Sequence, residues 1–299
     1  MSPPGLQVLA ICGPTAAGKT GVAIAVGELL RERGEDPVAL SCDALQVYRG
    51  VEALTGAPGE SERAQLEHRL IGIADVDEEF SAGMFARLAR DEIDSLLAQG
   101  RRPIVVGGTG LYMRAALADI ELRPPVDPGV RAAVESEIER RGPEALHREL
   151  APDVAADTHP RDRKRIARAL ELQRAGIAPP PPGGGELWTA DLRHPTTIFG
   201  ITVDRDELDR RIGARVDAMV ADGAADEAQR ADAAGATRTV RAAIGFEALL
   251  AGNIEAMKRE QRRYARRQLT WIRKTPDVRP IDRTGRDDLD VAREMLSLL

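Results

Sequence analysis

The eight residues Gly13–Thr20, GPTAAGKT, constrain this chain more than any other segment. They fit G-x-x-x-x-G-K-[S/T] and stand between an apolar strand-like run, Gln7–Cys12, and a helical pattern, Gly21–Arg33. Strand, glycine-rich loop and helix in that order is the context a phosphate-binding loop requires. Gly13 and Gly18 let the backbone turn tightly and approach phosphate. The loop amides and the helix N-terminus then face anionic oxygens. Gly13, Pro14, Thr15, Ala16, Ala17, Gly18, Lys19 and Thr20 are therefore the candidate phosphate-binding residues, with Lys19 adding charge and the Thr20 hydroxyl offered to Mg²⁺. The motif leaves open whether the ligand is ATP, GTP or the diphosphate of another small molecule.

Such a loop belongs at the edge of a sheet, and the sequence supplies one. Gln7–Cys12, Pro37–Cys42, His68–Ala74, Pro103–Val106 and Thr196–Val203 are short runs rich in Val, Ile and Leu, most of them separated by helical patterns such as Gly21–Arg33 and Met84–Gln99. This alternation predicts an α/β fold: a P-loop NTPase-like parallel sheet with helices on both faces. The alternation stops near Leu122, at the proline-rich ELRPPVDPG. Val130–Arg174 reads as helical, and Ala178–Leu187 (APPPPGGGEL) as a low-complexity linker. We expect a catalytic core of residues 1–126 and 195–299, interrupted by an α-helical insertion at 127–194. After Asp206 the chain reads as a wholly helical C-terminal region: Glu207–Asp222, Val240–Ala251 and Ile254–Lys274.

Composition narrows the class. The 299 residues, 43% of them hydrophobic, suffice for one sizeable core and a second small one. Aromatics are 3%, so the core must be built from Ala, Val, Leu and Ile. No apolar run reaches the ~18 residues of a membrane-spanning helix. The N-terminus lacks the basic region of a signal peptide, so a cytoplasmic protein is expected. Cys12 and Cys42 each end an apolar run and read as buried free thiols. His68, His147, His159 and His194 show no zinc-ligand spacing and read as structural or surface groups.

Two more strand ends carry polar groups. Ser41-Cys42-Asp43 closes the second run, where Asp43 either meets a ligand or caps a helix. Val105–Tyr112, VVGGTGLY, closes another with a glycine-rich turn and the hydroxyl of Thr109. The net charge is −6, so any nucleic-acid contact must come from a local basic stripe. Ile254–Lys274 offers one. Ile254, Met257, Gln261, Tyr264, Gln268 and Trp271 follow one helical face, and Arg259, Arg262, Arg263 and Arg266 another. Eight Lys and Arg stand there against Glu255 and Glu260 alone. A second cluster is Arg161, Arg163, Lys164, Arg165 and Arg168, where Asp162 and Glu171 offer intrahelical pairing.

GPTAAGKT, SCDALQVYRG, PIVVGGTGLY, HPRDRKRIARALEL, VRAAIGFEALLAG and RRYARRQLTWIRK together resemble the tRNA dimethylallyltransferases (tRNA isopentenyltransferases), in order and spacing, from Gly13 to Lys274. The resemblance implies transfer of a dimethylallyl group from dimethylallyl diphosphate to N6 of the adenosine 3′ to the anticodon (adenosine-37) in tRNA, with Mg²⁺ as cofactor. It implies Asp43 as the base, Arg241 as the diphosphate-binding arginine and Thr109 as a tRNA-contacting residue of the catalytic site. Asp43, Ala44, Leu45 and Gln46 match the segment around the target base. Arg131 and Arg163, Lys164, Arg165, Ile166 and Ala167 match positions gripping the anticodon stem-loop. Arg262 and Arg263, on the basic face, complete the expected tRNA-binding set. A monomer is expected. The chain departs from the family at Leu54-Thr55-Gly56-Ala57-Pro58, which lacks a glycine and a lysine of the usual GTAKP, at Glu67-His68 and at Gln261-Arg262-Arg263. Three rivals remain: an isopentenyltransferase acting on free AMP, a small-molecule kinase, and a nucleotide-dependent switch or binding module. The helical insertion and basic helix argue against the first, and the lack of an NKxD-like signature against a guanine-nucleotide switch.

Overall fold

The structure, a computed structural model, describes residues 6–108, 110–120, 123–178 and 191–299. Within them, six parallel strands form one sheet. These are β1 (Val8–Cys12), β2 (Pro37–Ser41), β3 (His68–Arg69), β4 (Arg102–Gly107), β5 (Thr196–Thr202) and β6 (Val278–Asp282), in the order β3-β2-β4-β1-β5-β6. β1 and β2 are buried at every position, because Val, Leu, Ala and Ile on both faces require cover on both. The helices Lys19–Glu32 and Asp288–Ser297 pack together, as do Ala82–Ala98 with Gly110–Leu117 and Arg205–Ala221 with Ile254–Lys274. Leu9, Ile11, Leu30, Leu40 and Ile93 are fully buried. Each such side chain contributes about 1.5–3 kcal/mol of transfer free energy.

Three local readings are corrected. The C-terminal region is not wholly helical, since β6 adds to the sheet edge. Its sequence, VRPID, buries only Ile281, and Pro280 is tolerated because an edge strand need not offer every amide. The run His68–Ala74 is a strand only at His68–Arg69, because Leu70 (φ 63°) and Gly72 (φ 62°) turn the backbone left-handed. Val240–Ala251 is not one helix. It divides into Arg238–Arg241 and Phe246–Leu250 around Gly245 (φ 95°), where Met257 fills the space of an absent side chain.

Contacts divide the chain into two units: Met1–Asp119 with Ala190–Leu299, and Ile120–Thr189. The second therefore starts before residue 127. At its other end, Arg193 and His194 belong to the first unit, where both bond Asp94 (2.8 and 2.6 Å). Beyond Ala178, the linker Ala178–Leu187 lies outside the described residues. The second unit holds helices Pro128–Arg141, Pro143–His147, Pro152–Asp157 and Arg163–Arg174, three of which begin on the proline favoured at a first helical position. Asp127 and Asp162 cap the first and last by accepting from Gly129 and Arg165 amides. Val134, Ile138, Leu146, Leu150, Ile166, Ala167 and Leu170 form its own small core.

Candidate active site

The loops after β1, β2 and β4 meet at the carboxyl edge of the sheet, the place where open parallel sheets bind ligands. Two glycines allow it. A Cβ on Gly107 would sit 2.5 Å from the Cys42 carbonyl oxygen, and one on Gly108 would sit 2.9 Å from that of Gly13. The pair in VVGGTGLY is thus dictated by close approach of three backbones.

The phosphate loop leaves β1 at Cys12 and ends at Gly18, whose φ of 80° caps the helix Lys19–Glu32. Lys19 curls back over the loop, its Nζ donating to the carbonyls of Gly13 (3.1 Å) and Pro14 (2.9 Å). The amide of Ala17 also donates to Pro14 (3.2 Å). Burial pushes the Lys19 ammonium down to about 8, and the neighbouring Arg215 guanidinium lowers it further, against the opposing pull of Asp43. Beneath it, burial pushes the Cys12 thiol up to about 12, and Cys42 is likewise raised, so both free cysteines stay neutral. On the loop's other side, the buried Arg283 guanidinium packs against Gly18 and pairs with Asp288.

Asp43 follows β2 and does not cap an α-helix. Its Oδ1 accepts from the Leu45 amide (3.0 Å), holding the carboxylate in a local turn. Ala44, Leu45 and Gln46 are half-buried in that turn. Gln46 accepts from the Ser41 hydroxyl (2.7 Å) and donates to the Gly56 carbonyl (3.3 Å). The same carbonyl receives Nη2 of Arg215 (3.0 Å). Two contacts hold the Leu54–Pro58 segment. A side chain at Gly56 would collide with the Arg215 guanidinium, and Glu227 accepts from the Ala53 and Leu54 amides (3.1 and 2.8 Å).

Arg215 was not expected in the site. It lies close enough to Lys19 and Asp43 to exchange electrostatic influence with both, and its Nε is buried without a hydrogen-bond partner among the described residues. A buried, unpartnered guanidinium nitrogen beside a phosphate loop is suited to an anionic ligand. The signal was in the sequence. Leu208, Ile212, Arg215 and Met219 fall at the spacing of one helix face, and an arginine on an apolar stripe has to find something to pair with. Arg241, expected in that role, already has partners of its own. Its guanidinium pairs with Asp232 and with Glu247 (3.2 Å) and lies 5.6 Å from the centre of the Phe246 ring. Thr109 lies outside the described residues.

The basic helix Ile254–Lys274 buries Met257, Gln261, Ala265, Gln268 and Ile272, with Trp271 half-buried against Gly110. Arg259, Arg263 and Arg266 on the other face are exposed and form no ion pair among the described residues. Arg262 is half-buried, 3.9 Å from Asp209. In the second unit, Arg163 pairs with Glu135 and Glu139, Arg165 with Asp162, and Arg131 with Glu171. Lys164 is exposed. Ile166 and Ala167, expected in the same tRNA-binding run, have their side chains enclosed in the small core.

No group of three or more His, Cys, Asp or Glu among the described residues is placed to hold a metal. No described helix is long and apolar enough to cross a membrane. His147 holds the carbonyls of Ala155 and Thr158 (3.1 and 2.7 Å), and His68 that of Leu66 (2.6 Å), which are structural roles.

The chain matches the IPP transferase family over residues 46–275. A tRNA dimethylallyltransferase of Streptomyces coelicolor is 38% identical, over 100% of this chain and 97% of that protein. One from Anaeromyxobacter sp. (strain K) is 40% identical over 91% and 92%. Among solved structures, the full-length tRNA isopentenylpyrophosphate transferase of Bacillus halodurans superposes with a TM-score of 0.69 at 33% identity, covering 97% and 96% of the two chains.

Proposed function

The chain belongs to the IPP transferase family, and from that membership we propose that it transfers a dimethylallyl group from dimethylallyl diphosphate to N6 of the adenosine 3′ to the anticodon (adenosine-37) in tRNA. The observation that carries the reading is the arrangement at one sheet edge: Lys19 seated on the Gly13 and Pro14 carbonyls of the phosphate loop, Asp43 held in the turn after β2, and Arg215 joined to that turn through the Gly56 carbonyl it shares with Gln46.

In this reading the loop amides, Lys19 and Arg215 take the diphosphate, and Arg215 replaces Arg241 as the arginine of the site. N6 attacks the allylic carbon, the carbon–oxygen bond to diphosphate breaks, and Asp43 accepts the N6 proton. Charge accumulates on the leaving diphosphate, where preorganised donors are most effective. The target base must leave its stack to reach Asp43–Gln46. The Thr20 hydroxyl would hold Mg²⁺, an ion that takes few protein ligands and favours phosphate. When bound it would neutralise the leaving group. Outside the pocket, Arg259, Arg263 and Arg266, with Arg262 behind them, and Arg131, Arg163, Lys164 and Arg165 of the second unit supply phosphate contacts to the anticodon stem-loop. We place the protein in the cytoplasm as a monomer.

The test is single-turnover transfer of radiolabelled dimethylallyl to bulk tRNA, with Mg²⁺ and without ATP. Labelled tRNA is the expected product. Label on free AMP but not on tRNA, or a strict requirement for ATP turnover, would overturn the reading.

A further inference from the structure

Gln268 is buried, 5% exposed, in the middle of the basic helix, and both polar atoms of its amide are hydrogen-bonded. Oε1 accepts from the Thr15 amide at 2.7 Å, and Nε2 donates to the Gly108 carbonyl at 3.0 Å. One side chain therefore joins the loops that follow two neighbouring strands, β1 and β4. Gly108 has no choice of residue type, because a Cβ there would occupy the place of the Gln268 amide.

The consequence runs through one peptide plane. The Pro14 carbonyl and the Thr15 N–H belong to the same rigid planar unit. Gln268 holds its N–H. Its carbonyl receives both Lys19 Nζ (2.9 Å) and the Ala17 amide (3.2 Å). Rotating that plane would move the acceptor that seats the lysine and would reorient the loop. We infer that Gln268 is a positioning residue for Lys19 and the phosphate loop, through which the helix bearing the exposed arginines fixes the geometry of the diphosphate site.

This inference rests on the proposed reading of the loop as a diphosphate site, and the test separates the two. Inorganic diphosphate with Mg²⁺ is titrated calorimetrically into the intact protein and into Gln268→Met, which keeps length and apolar bulk but neither hydrogen bond. Each lost bond of this kind is worth roughly a factor of five to ten. Gln268→Met should therefore weaken diphosphate binding at least about tenfold. The KM for dimethylallyl diphosphate should rise while that for tRNA stays unchanged. A purely structural role would lower the melting temperature and leave diphosphate affinity and both KM values of the folded fraction alone. Gly108→Ala, which displaces the same amide from the opposite side, should reproduce the effect and carries the test if Gln268→Met does not fold. Wild type that fails to bind inorganic diphosphate defeats the reading of the loop. Wild type that binds, with both variants binding as tightly, overturns the inference about Gln268 alone.

Discussion

Lys19 offers a measurement in which a proton reports on the ligand. In the ligand-free protein its ammonium is pushed down to about 8 by burial and by Arg215, against an ordinary value of 10.5. A bound diphosphate places negative charge on it and restores the higher value. Binding must then draw a proton from solvent wherever the free lysine is neutral and the bound one charged. With 8 and 10.5 as the two limits, uptake is about 0.1 proton at pH 7 and about 0.9 at pH 9. The affinity should fall about tenfold between those pH values, or ~1.4 kcal/mol. The same shift acts on the fold. Between pH 8 and 10.5 the unfolded chain holds this proton more tightly than the folded one, so ligand-free stability from this group rises with pH across that window. The assay is calorimetry with a non-reactive alkyl diphosphate in two buffers of different ionisation enthalpy. Its own last ionisation is complete below the window. Lys19→Met supplies the reference, with no uptake near pH 9. Equal uptake in wild type and Lys19→Met, or an affinity flat from pH 7 to 9, would refute the argument that this lysine seats the diphosphate.

Asp43→Asn should lower the single-turnover rate by about 10² to 10⁴, the worth of a positioned base, and a rate near wild type would remove Asp43 from the chemistry. Arg215→Met should raise the KM for dimethylallyl diphosphate or lower kcat by tenfold or more, about the loss of a charge-assisted hydrogen bond. Arg241→Met, already paired with Asp232 and Glu247, should change each less than about threefold. The reverse ranking in steady-state kinetics would return the role to Arg241. On the basic helix, Arg263→Ala should reduce the slope of log K for tRNA against log salt by about 0.7. Arg262→Ala should reduce it less, because Asp209 already faces that charge; equal slopes for both variants and wild type would show that tRNA is held elsewhere.

What could be read from residues alone followed from how strongly each position is constrained locally. GPTAAGKT specifies its own backbone, and β1, β2 and β4 are apolar on both faces, so the loop and the central strands were legible. β6 was not, because an exposed edge strand with one buried residue, Ile281, carries no apolar run. The break at Gly245 was missed because it depends on Met257 of the following helix packing into the place of a side chain there. Asp43 was singled out through its strand end. Arg215 was missed because its partners, Gly56, Lys19 and Asp43, are remote in sequence and only the fold brings them together. Gln268 was read as part of a core-facing stripe, which is correct, but its two backbone partners could not be named without the loops in place.

The parallel order β3-β2-β4-β1-β5-β6 has a consequence for how the protein comes into being. β1, the strand that launches the phosphate loop, pairs only with β4 and β5: Leu9 lies opposite Ile104 and Thr197. During synthesis, β1 waits for these partners until the chain has grown past residue 100 for one and nears 200 for the other. The loop's final neighbours, Gln268 and Arg283, arrive later still. Loop closure over such separations is slow compared with local helix formation. Helices of the Ile120–Thr189 unit, whose contacts are short in sequence, can form while β1 waits. The helices of the Ile120–Thr189 unit can thus form before the phosphate loop has its full set of neighbours, which is complete only once Gln268 and Arg283 have been added.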